Sequence, residues 1–135
     1  MIKGISHIGI AVKSLEESRK FYKEVFGLES SEPVIGGGGN TKISMIHLEN
    51  AVIELLEPVT EDSPVGKFLA KQGEGIHHIC YDVDDIFKDV ENLKSKGIQV
   101  IGSPKPGMEG ISVFLHPKGT HGVLVEFVQK GTEKG

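Results

Sequence analysis

Two histidines and two glutamates stand out because each sits where an apolar strand would otherwise carry a hydrophobic side chain. Glu54 lies inside Val52-Ile53-Glu54-Leu55-Leu56, and Glu126 lies inside Val123-Leu124-Val125-Glu126-Phe127-Val128. A carboxylate in such a run is costly to bury unless it is paired, hydrogen-bonded or bound to a metal. His7 opens His-Ile-Gly-Ile-Ala-Val, and His78 opens His-Ile-Cys-Tyr-Asp-Val 71 positions later. His7 precedes Glu54 by 47 residues and His78 precedes Glu126 by 48, so each half of the chain offers one imidazole and one carboxylate. Brought face to face, the four make a mixed nitrogen and oxygen donor set. That set suits cobalt, nickel, manganese, zinc or iron and leaves positions open for substrate or water.

The elements that must position these residues repeat as well. Ile5 to Val12 alternates like a strand, and Ser14 with Glu17 forms a capping box for a helix that Gly27 ends. Strands are predicted at Glu29 to Ile35, Lys42 to Leu48 and Ala51 to Leu56, with the glycine run Gly36 to Gly39 as a flexible hairpin or lid. Ser63 and Pro64 mark the N-cap and first turn of a short bridging helix ending near Gln72. From Gly75 the pattern restarts: a strand, a helix from about Asp85 to Lys96, and strands at Ile98 to Ile101, Ile111 to Leu115 and Val123 to Val128, with a proline and glycine loop at Pro104 to Gly110.

The reading is therefore α+β: two paired βαβββ modules forming a curved mixed eight-stranded sheet, with the helices on its outer face. The whole chain, 1–135, is expected to be one domain. Module 1 covers about 1–60, the bridging helix about 63–72 and module 2 about 75–130.

Other chemistry-bearing residues receive plainer roles. Strand alternation turns His77 toward Ile79 and Tyr81, as a structural or supporting side chain. His47 and His116 fall at strand ends, where a turn or rim role fits. The glycine run lacks the Gly-Lys-Ser/Thr ending of a phosphate loop. Cys80 is expected to be a small buried residue.

Composition narrows the function class. The chain has 135 residues, 38% hydrophobic and 25% charged, as in an ordinary globular domain. A net charge of −4 disfavours nucleic acid and anionic membrane surfaces as partners. One cysteine excludes an internal disulfide, and no apolar run reaches the roughly 20 residues of a membrane span. The strand-like pattern begins at once and leaves no room for a signal peptide, so the expected location is cytoplasmic.

The paired modules, with His-Ile-Gly-Ile-Ala-Val near the start, resemble the vicinal oxygen chelate superfamily, which includes glyoxalase I, extradiol dioxygenases and bleomycin-binding proteins. Within it the chain is most similar to the methylmalonyl-coenzyme A epimerase family. That resemblance is carried by Glu-Leu-Leu-Glu-Pro at 54–58, Glu-Asp-Ser-Pro-Val at 61–65, Lys-Phe-Leu-Ala-Lys at 67–71, Gly-Glu-Gly-Ile-His-His-Ile at 73–79, Phe-Leu-His-Pro-Lys at 114–118 and Gly-Val-Leu-Val-Glu at 122–126.

The resemblance implies an isomerase that interconverts (2R)- and (2S)-methylmalonyl-coenzyme A by removing and returning a proton through a metal-stabilised enolate. It places the ligands on His7, Glu54, His78 and Glu126, with one divalent ion per chain, cobalt first and nickel, manganese or zinc as alternatives. An acyl-coenzyme A substrate and a homodimer also follow from it. Glu126 then doubles as acid/base, with Glu54 as the leading candidate for the opposite face and Lys42 a weaker one. Some epimerases carry a further glutamate where this chain has Asn40-Thr41-Lys42-Ile43-Ser44, and no carboxylate stands there. The competing readings are a glyoxalase-I-like lactoylglutathione lyase and a metal-free ligand-binding protein of the same fold.

Overall fold

The computed structural model describes residues 1–131. Its elements are β1 (Ile2–Ala11), α1 (Leu15–Phe26), β2 (Val34–Gly36), β3 (Thr41–His47), β4 (Val52–Pro58), α2 (Pro64–Gln72), β5 (Gly75–Val83), α3 (Ile86–Ser95), β6 (Val100–Pro106), β7 (Gly110–Leu115) and β8 (Val125–Lys130). The βαβββ order occurs twice, once before α2 and once after it. The strand order is β2-β3-β4-β1-β5-β8-β7-β6, mixed in direction, so the α+β class and the eight strands stand. Two compact units carry these elements: residues 7–77, and residues 1–6 together with the chain from His78 onward. The first residues of β1 thus belong with β5 and the last with β4.

In the unit of residues 7–77, β1 runs parallel to β4 and β3 antiparallel to it. Ser14 caps α1 by accepting from the Glu17 amide at 3.1 Å, and Glu57 on β4 accepts from the Leu15 amide at 2.7 Å. Those bonds satisfy amides that a helix start leaves without partners. Both faces of β4 are buried. Leu55 packs with Val12, Leu15 and Ile46 under α1, whereas Leu56 packs with Ala11, Ile43 and Val65 beside α2. Ser63 caps α2 with Pro64 in its first turn. Gly66 is required there, because a Cβ would stand 2.5 Å from the Glu61 carbonyl oxygen.

In the other unit, β5 runs parallel to β8 and β7 antiparallel to it. Asp85 caps α3, which rests Ile86 and Val90 on Val83, Val113, Leu115, Val125 and Phe127. Strand alternation turns Glu126 and Val128 to the face that α3 does not cover.

The structure departs from the sequence reading at two places. The strand predicted over Glu29 to Ile35 is reduced to Val34–Gly36, since Pro33 interrupts the ladder. Ser31 nevertheless bonds to β3, donating its amide to the Met45 carbonyl and accepting from the Met45 amide through its hydroxyl, each at 2.8 Å. The glycine run does close a hairpin, between antiparallel β2 and β3, and does so as a tight turn over Gly37–Gly39 in which all three glycines have positive φ. Residues 104–106, read as loop, belong to β6. This strand ends the sheet order and shifts register between Ile101 and Lys105, so prolines cost little there.

Candidate metal centre

Each unit builds one histidine and glutamate pair, by the same construction. In β1 and β4, Gly9 stands in register with Glu54, and His7 lies two residues before Gly9. In β5 and β8, Cys80 stands in register with Glu126, and His78 lies two residues before Cys80. A two-residue step keeps side chains on one face of a strand, so each imidazole leans diagonally across a parallel pair toward its carboxylate. His7 Nδ1 lies 3.4 Å from Glu54 Oε2, and His78 Nε2 lies 3.2 Å from Glu126 Oε1. Three of the four residues are almost closed to solvent, with His7 3% exposed, Glu54 7% and His78 5%.

The donor chemistry fits a divalent ion. Two donors at roughly 2.1 Å from a common cation, subtending a near-octahedral to tetrahedral angle, lie about 3.0–3.5 Å apart. Both pairs have that spacing. Neighbouring groups hold the second pair in place: Phe114, in register with Glu126 on β7, sets its ring edge-on to His78 with centroids 5.5 Å apart. Cys80 is fully buried in the strand position facing Glu126, in keeping with the small buried residue expected there.

The remaining candidates lie elsewhere. His77 is half-buried and packs edge-on against Phe68, with centroids 5.1 Å apart. His47 is exposed at the end of β3. His116 turns the chain after β7, its Nδ1 accepting from the Lys118 amide at 3.1 Å. Lys42 pairs with Glu57 at 3.5 Å on the face of β4 opposite Glu54, in a cleft of about 580 Å³ that Arg19 and Glu32 also line. Sequence reasoning missed Glu109. It lies half-buried in the β6–β7 loop and accepts from the Ser6 hydroxyl at 3.5 Å. Only the flanking Gly107 and Gly110, marking a tight loop, hinted at a constrained position.

The sequence pattern of the Glyoxalase/Bleomycin resistance protein/Dioxygenase superfamily matches residues 6–114. The chain belongs to this superfamily. As a superfamily member it is 44% identical over 129 residues to the mitochondrial methylmalonyl-CoA epimerase of Dictyostelium discoideum, covering 93% of this chain and 78% of that protein. It is 43% identical over 133 residues to the ethylmalonyl-CoA/methylmalonyl-CoA epimerase of Cereibacter sphaeroides, covering 96% and 99% of the two chains. Among solved structures, a methylmalonyl-CoA epimerase in complex with methylmalonyl-CoA and an ammonium ion superposes with a TM-score of 0.90. That match has 36% identity and covers 97% of this chain and 96% of that one.

Proposed function

We propose that this chain is a methylmalonyl-coenzyme A epimerase, an isomerase that equilibrates the (2R) and (2S) epimers. The observation that carries the reading is the repeated, largely buried histidine and glutamate pair, in a chain more than 40% identical to two epimerases over nearly its whole length. His7, Glu54, His78 and Glu126 would hold one divalent ion, cobalt first and nickel, manganese or zinc next. Bound there, such an ion would offset the negative charge that develops on the thioester oxygen as C2 loses its proton.

The protein's own part is positional. The two parallel strand pairs fix the four side chains before substrate arrives, so little reorganisation is needed when charge develops. Glu126 acts as the base that takes the C2 proton from one face. Phe114 restrains the His78 ring next to it. The active species is a homodimer.

The lyase reading has less support. The Asp-Ser-Pro bridge typical of the epimerases is the segment that starts α2 here, with Ser63 as its cap. The deciding experiment is deuterium exchange at C2 of methylmalonyl-coenzyme A in heavy water, with and without added cobalt. Cobalt-dependent exchange and epimerisation support the assignment. Faster turnover of the methylglyoxal and glutathione adduct would move it to the lyases.

A further inference from the structure

Inverting a carbon centre needs a proton removed on one face and delivered on the other, so one base cannot serve a fixed intermediate. The sequence offered Glu54 for the second face. The fold brings forward a third carboxylate, Glu109 in the β6–β7 loop.

The contact between Glu109 and Ser6 has a geometric consequence. Ser6 is 3% exposed on β1, and its hydroxyl donates to Glu109 Oε1 at 3.5 Å. Glu109 precedes β7, and β8 and β5 lie between β7 and β1 in the sheet order. Three strand spacings amount to about 14 Å along the sheet. The β6–β7 loop therefore has to lean across β8 and β5 to reach Ser6. On one side of these strands α3 occupies the surface, packed on Val83, Val125 and Phe127. The side left open to the loop is the other one, the face to which strand alternation turns His78 and Glu126. Its base is pinned: the Gly107 amide donates to the Gly110 carbonyl at 2.7 Å, and a Cβ on Gly110 would collide with the Gln129 carbonyl oxygen.

From this placement we infer that Glu109 is the second catalytic acid/base, working on the face of the substrate opposite Glu126. The inference rests on the epimerase reading. In the forward direction the Glu126 carboxylate takes the C2 proton, and the C–H electron pair passes into the enolate. Glu109, entering as the carboxylic acid, gives its proton to the opposite face of C2, and the enolate pair forms the new C–H bond. Glu126 is left protonated and Glu109 ionised, which is the arrangement the reverse reaction needs. Proton exchange with water resets the pair for another forward turnover.

The test compares E109Q and E54Q with the parent, each loaded with cobalt. Deuterium wash-in at C2 and epimerisation are measured separately, starting from each epimer. The expected result for E109Q is epimerisation slowed by about 100-fold or more, with exchange retained from the epimer that Glu126 serves. Metal content and KM should stay within about twofold, and Glu109→Asp should recover part of the epimerisation rate. E54Q should keep the parent's ratio of exchange to epimerisation. A parent-like ratio in E109Q would overturn the proposal. So would an equal fall in both rates with a raised KM, the mark of a group that only props the loop. A parent inert toward methylmalonyl-coenzyme A would remove the epimerase reading and this role together. An active parent with an unaffected E109Q would remove only the role.

Discussion

His78 Nε2 and Glu126 Oε1 lie 3.2 Å apart although 48 residues separate them in sequence. The closeness follows from the parallel register of β5 with β8, which sets Glu126 opposite Cys80. A half-buried carboxylate so placed is stabilised by its imidazole and, when loaded, by a cation.

Metal binding should depend on both pairs. The purified protein is expected to hold about one divalent ion per chain by elemental analysis. Glu126→Ala should abolish tight binding, and chelation should lower the melting temperature, because an ion bound only by the folded state stabilises it. Full occupancy in the double variant His7→Ala, His78→Ala would refute the ligand assignment.

Glu54→Gln preserves a donor oxygen and the shape of the side chain. It should keep much of the metal while weakening affinity, as calorimetric titration with cobalt would read directly. Complete loss of the ion would mean that the charge of Glu54, beyond its oxygen, is indispensable.

Helix α2 depends on the Ser63 cap, whose hydroxyl accepts from the Gly66 amide at 3.1 Å and donates to the Thr60 carbonyl at 2.7 Å. Ser63→Ala should cost about 1 kcal/mol in denaturant unfolding. Phe127→Ala, which empties a buried site beneath α3, should cost about 3–5 kcal/mol.

Acid stability should carry a small signature from Asp62. The Thr60 hydroxyl donates to its carboxylate at 2.7 Å and holds it below the ordinary value of 3.8, helped by its own backbone amide. A lowered folded-state pKa gives stability that is full above 3.8 and lost as the pH falls through the folded value. Thr60→Val should therefore lower the melting temperature slightly across the neutral range and converge with the parent as the pH falls well below about 4, which flattens the acid limb.

The two histidine and glutamate pairs were legible because the chain repeats. A charged residue in an apolar strand is ambiguous alone, but the same residue at matching positions of two modules is not. Ser14 and Ser63 were likewise readable, since capping is a local property of a few consecutive residues. Glu109 was invisible for the opposite reason. Its contact with Ser6 spans 103 residues and follows from how a loop crosses two strands, which no periodicity encodes. Pro104 and Pro106 suggested a loop because proline opposes strand interiors, and only the sheet order reveals that β6 has a neighbour on one side alone.

That placement of β6 bears on how the protein tolerates crowding at high concentration. A strand with one unpaired side is a template for further chains, which is how fibrils begin. Pro104 and Pro106 remove two backbone donors from that side, and Lys105 between them adds a charge. At the opposite end of the order, β2 is three residues long and follows Pro33. Neither margin of the sheet presents a long, flat row of donors and acceptors. A second copy of this chain has to be met through side chains, because continuous β-pairing across the two molecules is denied at both ends.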